Sequence, residues 1–309
     1  MTIPHLRRPR AAVGLLLAAI LLVSGCSSDG TQAADTTEDQ NGNLLAQAPV
    51  ADEEAIASSP TARAIRERGV LVNGTEVRMP LLSQRNPATG QVTGFDASIA
   101  KMLAKYIIGE PDVKQVNATG ATRESLLQVG TVDVVVHAYT MTEQRAEKVS
   151  FAGPYLVSGA SLATLKDSDE GIAGIDDLAG KTVCAIEDSS HLAPLEKQAP
   201  EADVNTVKTA GECVQQLESG EADAYVHDRS ILSGAAALND KLNVNAETFT
   251  DEAYGIGIPN GDQKFKRFIN DWLQKIEEKG LWQQAWDRSF GTVLGDAPAP
   301  PEIGTPPGD

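Results

Sequence analysis

The segment SLLQVGTVDVVVHA (residues 125–138) shares a pattern with QLESGEADAYVHD (residues 216–228), which lies ninety residues later. Both segments read L-x-x-G-x-x-D-x-x-V-H over eleven positions. Five of those positions are identical, namely Leu127 and Leu217, Gly130 and Gly220, Asp133 and Asp223, Val136 and Val226, and His137 and His227. The repeat indicates that the chain uses one local structural unit twice.

The pattern predicts a helix, a tight turn and a buried strand. The glycine stands where a helix ends in a left-handed residue. The runs VDVVVH and ADAYVH are typical of strands buried on both faces. Open α/β sheets bind ligands beyond the carboxyl ends of their strands. Two such units predict two α/β lobes that share a cleft. The alternative is a pair of unrelated helix–strand turns in an α/β enzyme.

The remaining sequence divides around these units. Asp96 precedes a helical pattern and is expected to cap that helix. Residues 150–166 and 249–262 have the composition of a chain that crosses between lobes. We therefore expect a first lobe made of residues 62–156 and 254–291, and a second lobe made of residues 157–253. The two crossings would form a hinge.

The amino terminus has the features of an export signal. MTIPHLRRPR carries three arginines and no acid, and AAVGLLLAAILLV is an apolar run of 13 residues, too short to span a bilayer. The run leads to VSGC, which resembles a bacterial lipoprotein signal with Cys26 as the lipidated residue. Residues 1–25 are then the signal peptide. The alternative is a cleaved signal or a simple anchor in which Cys26 is incidental.

Two segments outside the lobes are predicted to lack a core of their own. Residues 26–61 are polar and acidic, so we expect a disordered tether. Residues 292–309 form a proline-rich tail that should be extended.

Net charge excludes two classes of partner. The formal charge is −17, and removal of Arg7, Arg8 and Arg10 with the signal takes it to −20. Such an acidic chain is not expected to bind nucleic acid or anionic lipid. Membrane contact should come from the lipid on Cys26 alone, at the outer face of the cell membrane.

Two further cysteines, Cys184 and Cys213, fit an exported protein. An even pair outside the cytoplasm favours a disulfide. Two buried free thiols are the alternative.

Polar residues at the two predicted strand ends form a candidate binding site. HAYTMTEQR begins at His137 and Ala138 and supplies the hydroxyl of Thr140 and the guanidinium of Arg145, which matches a carboxylate. In the second unit, Asp228 supplies a carboxylate, and Ser189 and Ser190 open a helix that favours an anion. An anion held by Arg145, Thr140, Ser189 and Ser190, with an ammonium group at Asp228, describes an α-amino acid. The alternative for Arg145 is an ordinary surface arginine.

Four motifs also resemble a known family. GFDASIAKML, TMTEQRAEKVSFAGPY, DLAGKTV and EAYGIGIPNGD occur in this order between about residues 69 and 291. They are similar to the family 3 extracellular solute-binding proteins, the amino-acid receptors of ABC importers. The cysteine pair and tail resemble those of actinobacterial glutamate- and glutamine-binding lipoproteins. The resemblance implies a type II periplasmic-binding-protein-like fold, a monomer without a cofactor, and an ABC permease as partner.

The resemblance assigns roles to individual residues. Arg145 becomes the clamp for the α-carboxylate, with Thr140 and the amide of Ser190 beside it, and Asp228 accepts the α-ammonium. Glu76 matches an acid that contacts the ammonium or the side chain. Arg123 matches an arginine that meets a side-chain carboxylate, although an exposed helix arginine is equally compatible with its position.

Some positions depart from the family pattern. Met79 and Gly120 replace aromatic residues that sandwich the ligand side chain, and Glu76 would repel an acidic side chain unless Arg78 or Arg123 offsets it. The ligand is therefore predicted to be a small polar or acidic amino acid: glutamate, glutamine, aspartate or asparagine.

Four other functions are less favoured by the sequence. His137, His191 and His227 could bind a metal, but two of them follow apolar strands as structural histidines do, so no metal site is expected. His227 and Asp228 are neighbours on a strand, so their side chains should point to opposite faces. They therefore make a poor proton-transfer pair for a hydro-lyase. A sugar receptor is disfavoured because all three tryptophans lie near the carboxyl terminus. A sensor that signals through a membrane protein stays open as an alternative.

Overall fold

The computed structural model describes residues 43–168 and 171–304. The predicted signal peptide, the lipidation site at Cys26 and the first part of the tether lie outside these residues, as do residues 305–309. Within the described part of the chain, no helix is long and apolar enough to cross a membrane.

Thirteen strands are present in the described residues. In chain order they are β1 Leu71–Thr75, β2 Arg78–Met79, β3 Ser83–Arg85, β4 Val92–Thr93, β5 Val113–Asn117, β6 Val134–Val135, β7 Ser150–Ser158, β8 Ala160–Leu165, β9 Thr182–Ile186, β10 Asp203–Val207, β11 Ala224–Asp228, β12 Leu242–Val244 and β13 Glu252–Ile258.

Helices cover the sheets and link their strands. In chain order they are α1 Glu53–Ser58, α2 Pro60–Arg68, α3 Phe95–Ile108, α4 Arg123–Gln128, α5 Glu143–Ala146, α6 Leu192–Gln198, α7 Ala210–Ser219, α8 Arg229–Leu238, α9 Gln263–Glu278, α10 Leu281–Asp287 and α11 Gly291–Leu294, with a 3-10 turn at Ile175–Leu178. Residues 43–47 are also helical.

Two five-stranded sheets have the same internal plan. The first has the order β5-β1-β6-β13-β7, and the second has the order β10-β9-β11-β8-β12. In each sheet, the first three strands run parallel, and a fourth strand runs antiparallel beside them. The small sheet β2-β3-β4 comes after β1 in the chain. The two-sheet α/β architecture predicted from the repeat is confirmed.

The repeated aspartates hold the same position in both sheets. Asp133 accepts a hydrogen bond from the Val72 amide at 2.8 Å, and its own amide donates to the Val72 carbonyl at 2.9 Å. Asp223 makes the same two bonds with Thr182, each at 2.8 Å. Each aspartate therefore ties the turn before one strand to the start of the neighbouring parallel strand. This shared task explains why the motif occurs twice.

The two connections between the sheets pass each other at Gly159. This residue alone separates β7 of the first sheet from β8 of the second. A Cβ atom at this position would lie 1.9 Å from the carbonyl oxygen of Thr250, on the returning connection. The Thr250 hydroxyl also accepts a bond from the Ala160 amide at 2.7 Å. Close backbone contact thus joins the two crossings into one hinge. The exact lobe boundaries stay predictions.

Residues 43–61 differ from the predicted tether. Leu44 and Ile56 are buried in the core beside the first sheet, and the Ala51 amide donates to the Tyr106 carbonyl at 2.8 Å. Few large apolar residues are present in this segment, but those few fall on the apolar surface around α3 and α9. The prediction of disorder was therefore wrong for residues 43–61, because composition alone does not show that surface.

The proline-rich segment is docked as far as residue 304. Trp286 Nε1 donates to the Gly295 carbonyl at 3.0 Å, and the Gly304 amide donates to the Gly153 carbonyl at 2.9 Å. Ala297 and Ile303 pack against the first core.

Cys184 and Cys213 form a disulfide between β9 and α7. Both residues are fully buried in a core of the second sheet that also contains Leu217 and Tyr225. The bond closes a loop with a sequence separation of 29 residues.

Replacement of both cysteines by serine should lower the free energy of unfolding by roughly 3–4 kcal/mol, because the unfolded chain regains loop entropy. Urea denaturation measures this loss. A reductant should destabilise the wild-type protein to a similar extent and leave the double variant unchanged. A loss below about 1 kcal/mol would contradict a structural disulfide.

Candidate functional site

The predicted binding residues lie just beyond the carboxyl ends of parallel strands in both sheets. Glu76 follows β1 and His137 follows β6 in the first sheet. Ser189 and Ser190 follow β9, and Asp228 ends β11 in the second sheet. Parallel strands bring these ends to one edge of each sheet, which places ligand-binding groups there.

Two arginines surround Tyr139 in the first lobe. The guanidinium carbon of Arg123 lies 3.7 Å from the centre of the Tyr139 ring, and that of Arg145 lies 5.6 Å from it. Arg145 Nη1 donates to the Thr140 carbonyl at 2.9 Å, and Arg123 Nη1 donates to the His137 carbonyl at 3.4 Å. Both arginines are buried. Arg123 is therefore not the exposed helix arginine that the sequence left open.

The arginine pair retains unused donors. Within residues 43–168 and 171–304, neither guanidinium has a carboxylate within 4.0 Å, and Arg123 Nε is buried without a hydrogen-bond partner. Burial, reinforced by the charge of Arg145, lowers the pKa of Arg123 to about 9. Two buried cations with free N–H groups form a site for an anion.

Asp228 supplies the opposite charge. Its Oδ1 accepts bonds from the Ser158 hydroxyl at 2.5 Å and the Ser230 amide at 2.8 Å. Its Oδ2 is buried and accepts no bond from any residue that the structure describes. Burial raises the pKa of Asp228. A buried carboxylate oxygen without a partner costs free energy that a ligand donor can recover.

Glu252, at the start of β13, is the residue that sequence reasoning missed. Its Oε2 accepts bonds from the hydroxyls of Thr140 at 2.8 Å and Ser190 at 2.7 Å, and its Oε1 lies 2.5 Å from His191 Nδ1. Burial raises the pKa of Glu252, but the bonds from His191, Ser190 and Thr140 outweigh it and hold the pKa at about 2. The only sequence signal was an acid at the first position of an otherwise apolar strand.

These bonds change the role predicted for two hydroxyls. An ionised carboxylate only accepts hydrogen bonds, so Thr140 and Ser190 must donate their protons to Glu252. Neither hydroxyl is then free to donate to a ligand carboxylate in this conformation. In this conformation Glu252 occupies both hydroxyl donors, and the predicted contact of these hydroxyls with a ligand anion stays a prediction.

One set of side chains could hold a cation. His191, Asp228 and Glu252 are all buried, and each offers a donor atom within 4.8 Å of those of the other two. One imidazole and two carboxylates suit a divalent metal. The unpartnered Oδ2 of Asp228 equally suits an ammonium group. The His227 ring lies 5.1 Å from the His191 ring.

Glu76 and His137 form a pair next to Arg123, which donates to the His137 carbonyl. Glu76 Oε2 lies 3.6 Å from His137 Nε2, and the nearby imidazole of His137 lowers the pKa of Glu76. Arg78 is exposed on β2, whereas Met79 is partly buried against the first core.

Ala138 lies in a loop held by Asp96. The Ala138 residue has a φ of 39°, and its amide donates to Asp96 Oδ2 at 2.9 Å. Asp96 Oδ1 accepts from the Tyr155 hydroxyl at 2.9 Å. Asp96 therefore supports the binding loop and does not cap α3, whose first flanking residue is Gly94.

The structure brings most of the predicted residues together. Arg145 binds the Thr140 carbonyl, Thr140 binds Glu252, and Glu252 lies beside Asp228. Ser190 of the second lobe lies 3.4 Å from Thr140 of the first. Ser189 Oγ is buried nearby in the chain without a partner among the described residues. Charges of both signs therefore lie between the lobes.

Comparison with known proteins places this arrangement in a family. The profile of the bacterial extracellular solute-binding proteins, family 3, matches residues 71–292. The chain belongs to this family. The glutamine-binding protein of Geobacillus stearothermophilus is 34% identical, over 79% of this chain and 88% of that protein. The ABC transporter glutamine-binding protein GlnH of Bacillus subtilis is 30% identical, over 88% of this chain and 93% of that protein.

The fold of this chain is also similar to that of a solved amino-acid-binding protein. The ancestral amino acid-binding protein AncCDT-1 has a TM-score of 0.67 and is 30% identical, covering 74% of this chain and 99% of that one. That protein is described as a precursor of cyclohexadienyl dehydratase, whereas the two glutamine-binding relatives are named as binding proteins. The predicted type II periplasmic-binding-protein-like fold is confirmed.

The lobes of this family 3 protein meet at Gly234. A Cβ atom there would lie 2.5 Å from the backbone oxygen of Pro80, so α8 packs directly on the connection after β2. Gly234→Ala should force these backbones apart by about 1 Å. The conformation in which α8 contacts this connection then loses free energy, so the affinity for a ligand that binds between the lobes should fall about tenfold.

Calorimetry of the Gly234→Ala variant measures this loss. Gly211→Ala is the matched control, because Gly211 also lies in a helix of the second lobe and has open space around its Cβ position. Equal affinities for the two variants would show that the contact at Pro80 plays no part in closure.

Proposed function

We propose that this protein is a lipid-anchored extracytoplasmic receptor that binds a polar or acidic L-amino acid by hinge closure and delivers it to an ABC importer. Cys26 would carry the lipid, the receptor would be a monomer, and a membrane permease would be its partner. The ligand would be glutamate, glutamine, aspartate or asparagine. The names of the two glutamine-binding relatives support this ligand class.

The observation that carries the proposal is that positive and negative side chains of one site each keep hydrogen-bonding groups without a protein partner. Arg123 and Arg145 hold free donors, and Arg145 binds the Thr140 carbonyl. Asp228 holds a free acceptor beside Glu252, which binds the Thr140 hydroxyl. A zwitterion satisfies both ends at once, because its carboxylate and ammonium groups are joined by one carbon. Neither a neutral sugar nor a simple anion would do so.

Hinge closure is inferred from the location of these charges. The two arginines belong to the first lobe, whereas Asp228 ends β11 of the second sheet. A ligand that contacts both groups stabilises only the conformation in which the lobes are together. A ligand that contacts one group leaves the equilibrium unchanged.

A thermal-shift screen against the twenty L-amino acids tests this function. A ligand that binds only the folded state raises its melting temperature, and a concentration of 100 times the Kd adds about 2.7 kcal/mol of stability. We expect shifts with the acidic amino acids or their amides. The absence of a shift with all twenty would contradict the proposal.

Charge-removing variants test the site. Asp228→Asn and Arg145→Ala should each weaken binding of the identified amino acid by about 2–5 kcal/mol, because the ligand charge then stays buried without its partner. Exposed Asp203→Asn and Arg63→Ala are the matched controls. Near-normal calorimetric affinity in either site variant would refute the assignment of that residue.

A further inference from the structure

Glu252 is connected to both lobes and to the hinge. It opens β13, the strand on which the chain returns to the first sheet. Thr140, which lies beyond β6 of the first sheet, donates to it. Ser190 and His191, which lie beyond β9 of the second sheet, bind the same carboxylate. Only 5% of the Glu252 surface is exposed.

The carboxylate has little capacity left for a ligand. Its Oε2 already accepts two hydrogen bonds of 2.7 and 2.8 Å, and its Oε1 accepts one from His191 Nδ1 and a longer one of 3.4 Å from Thr250. Two bonds to each oxygen match the four lone-pair positions of a carboxylate. Glu252 thus acts on a ligand through the groups that it orients.

The direction of these bonds decides what the two hydroxyls can do. A hydroxyl has one proton and two lone pairs. The Ser190 proton goes to Glu252 at 2.7 Å rather than to Thr140 at 3.4 Å, because the nearer partner is charged. Both oxygens therefore keep lone pairs and have no proton for another partner. Asp228 Oδ2, beside the same carboxylate, also has no hydrogen-bond partner among the described residues.

We propose that Glu252 is a positioning residue that makes the hydroxyls of Thr140 and Ser190 into acceptors, so that this end of the site receives the ammonium group of the ligand and rejects a carboxylate. The proposal rests on the proposed function for the identity of the ligand. The polarity of the hydroxyls, that is, the direction in which each donates its proton, is set by the protein and does not depend on the ligand. Glu252 also connects recognition to closure, since its partners come from both lobes.

Neutron diffraction from a deuterium-exchanged crystal in which Thr140 and Ser190 both contact Glu252 tests the polarity directly. The expected result is deuterium on Thr140 Oγ1 and on Ser190 Oγ, each directed at Glu252. Deuterium on either oxygen directed away from Glu252 would overturn the proposal. This measurement needs no ligand, so it stands even if the amino-acid screen fails.

The Glu252→Gln variant tests the effect on recognition. Glutamine keeps the size of the side chain, but its amide group donates and so removes the fixed polarity of the hydroxyls. The probes are L-glutamate and L-glutamine, each compared with the same acid without its α-amino group, glutarate and glutaramate. All titrations contain EDTA, so that a divalent metal on His191, Asp228 and Glu252 does not contribute.

Affinity for the better-bound amino acid should fall at least 30-fold in Glu252→Gln, while affinity for its deaminated analogue should change by less than threefold or improve. A loss of binding that is equal for both probes would show a merely structural role and overturn the proposal. Glu247→Gln is the matched control, because this exposed glutamate lies five residues earlier on the same connection. It should bind both probes as the wild type does.

Discussion

The burial of unpaired charge is the constraint on which this structure depends. Asp228 Oδ2 and Arg123 Nε lie out of water without protein partners among the described residues, and Arg145, which is also a buried residue, has no carboxylate partner there. Each such group costs folding free energy, and an ionised group costs the most. The surrounding core offsets that cost with large aromatic residues, including Trp272, Trp282 and Phe95, packed around α3, α9 and α10. The groups left unpaired are therefore available to a ligand.

Glu252 shows how one further charge organises the site. Its carboxylate accepts hydrogen bonds from Thr140, Ser190 and His191. Two of these bonds use the hydroxyl protons that the sequence assigned to a ligand anion. The site consequently divides into an arginine end with donors and a carboxylate end with acceptors. This polarity agrees with the zwitterion inferred from Arg145 and Asp228, and the role proposed for Glu252 would move both hydroxyls from the anion end to the ammonium end.

Structural equivalence of the two lobes explains the repeated motif. Asp133 and Asp223 each bind the first residues of a neighbouring parallel strand, and Leu127 and Leu217 each enter the core of their own lobe. The lobes differ in the residues at and beyond the strand ends. The first supplies Thr140 and Arg145, and the second supplies Asp228. The same framework thus presents opposite charges to one cleft.

The sequence by itself determined the two α/β units, the crossings between them, the cysteine pair and most residues at the strand ends. These features depend on local patterns: apolar periodicity, turn glycines and polar residues that directly follow buried strands. The roles of residues 43–61, Asp96 and Glu252 were decided only by the tertiary structure. The apolar surface that binds Leu44, the loop that Asp96 supports and the hydroxyls that Glu252 orients all come from distant parts of the chain. A hydrogen bond has a direction that depends on its partner, so no sequence pattern could show that Thr140 and Ser190 had already donated their protons.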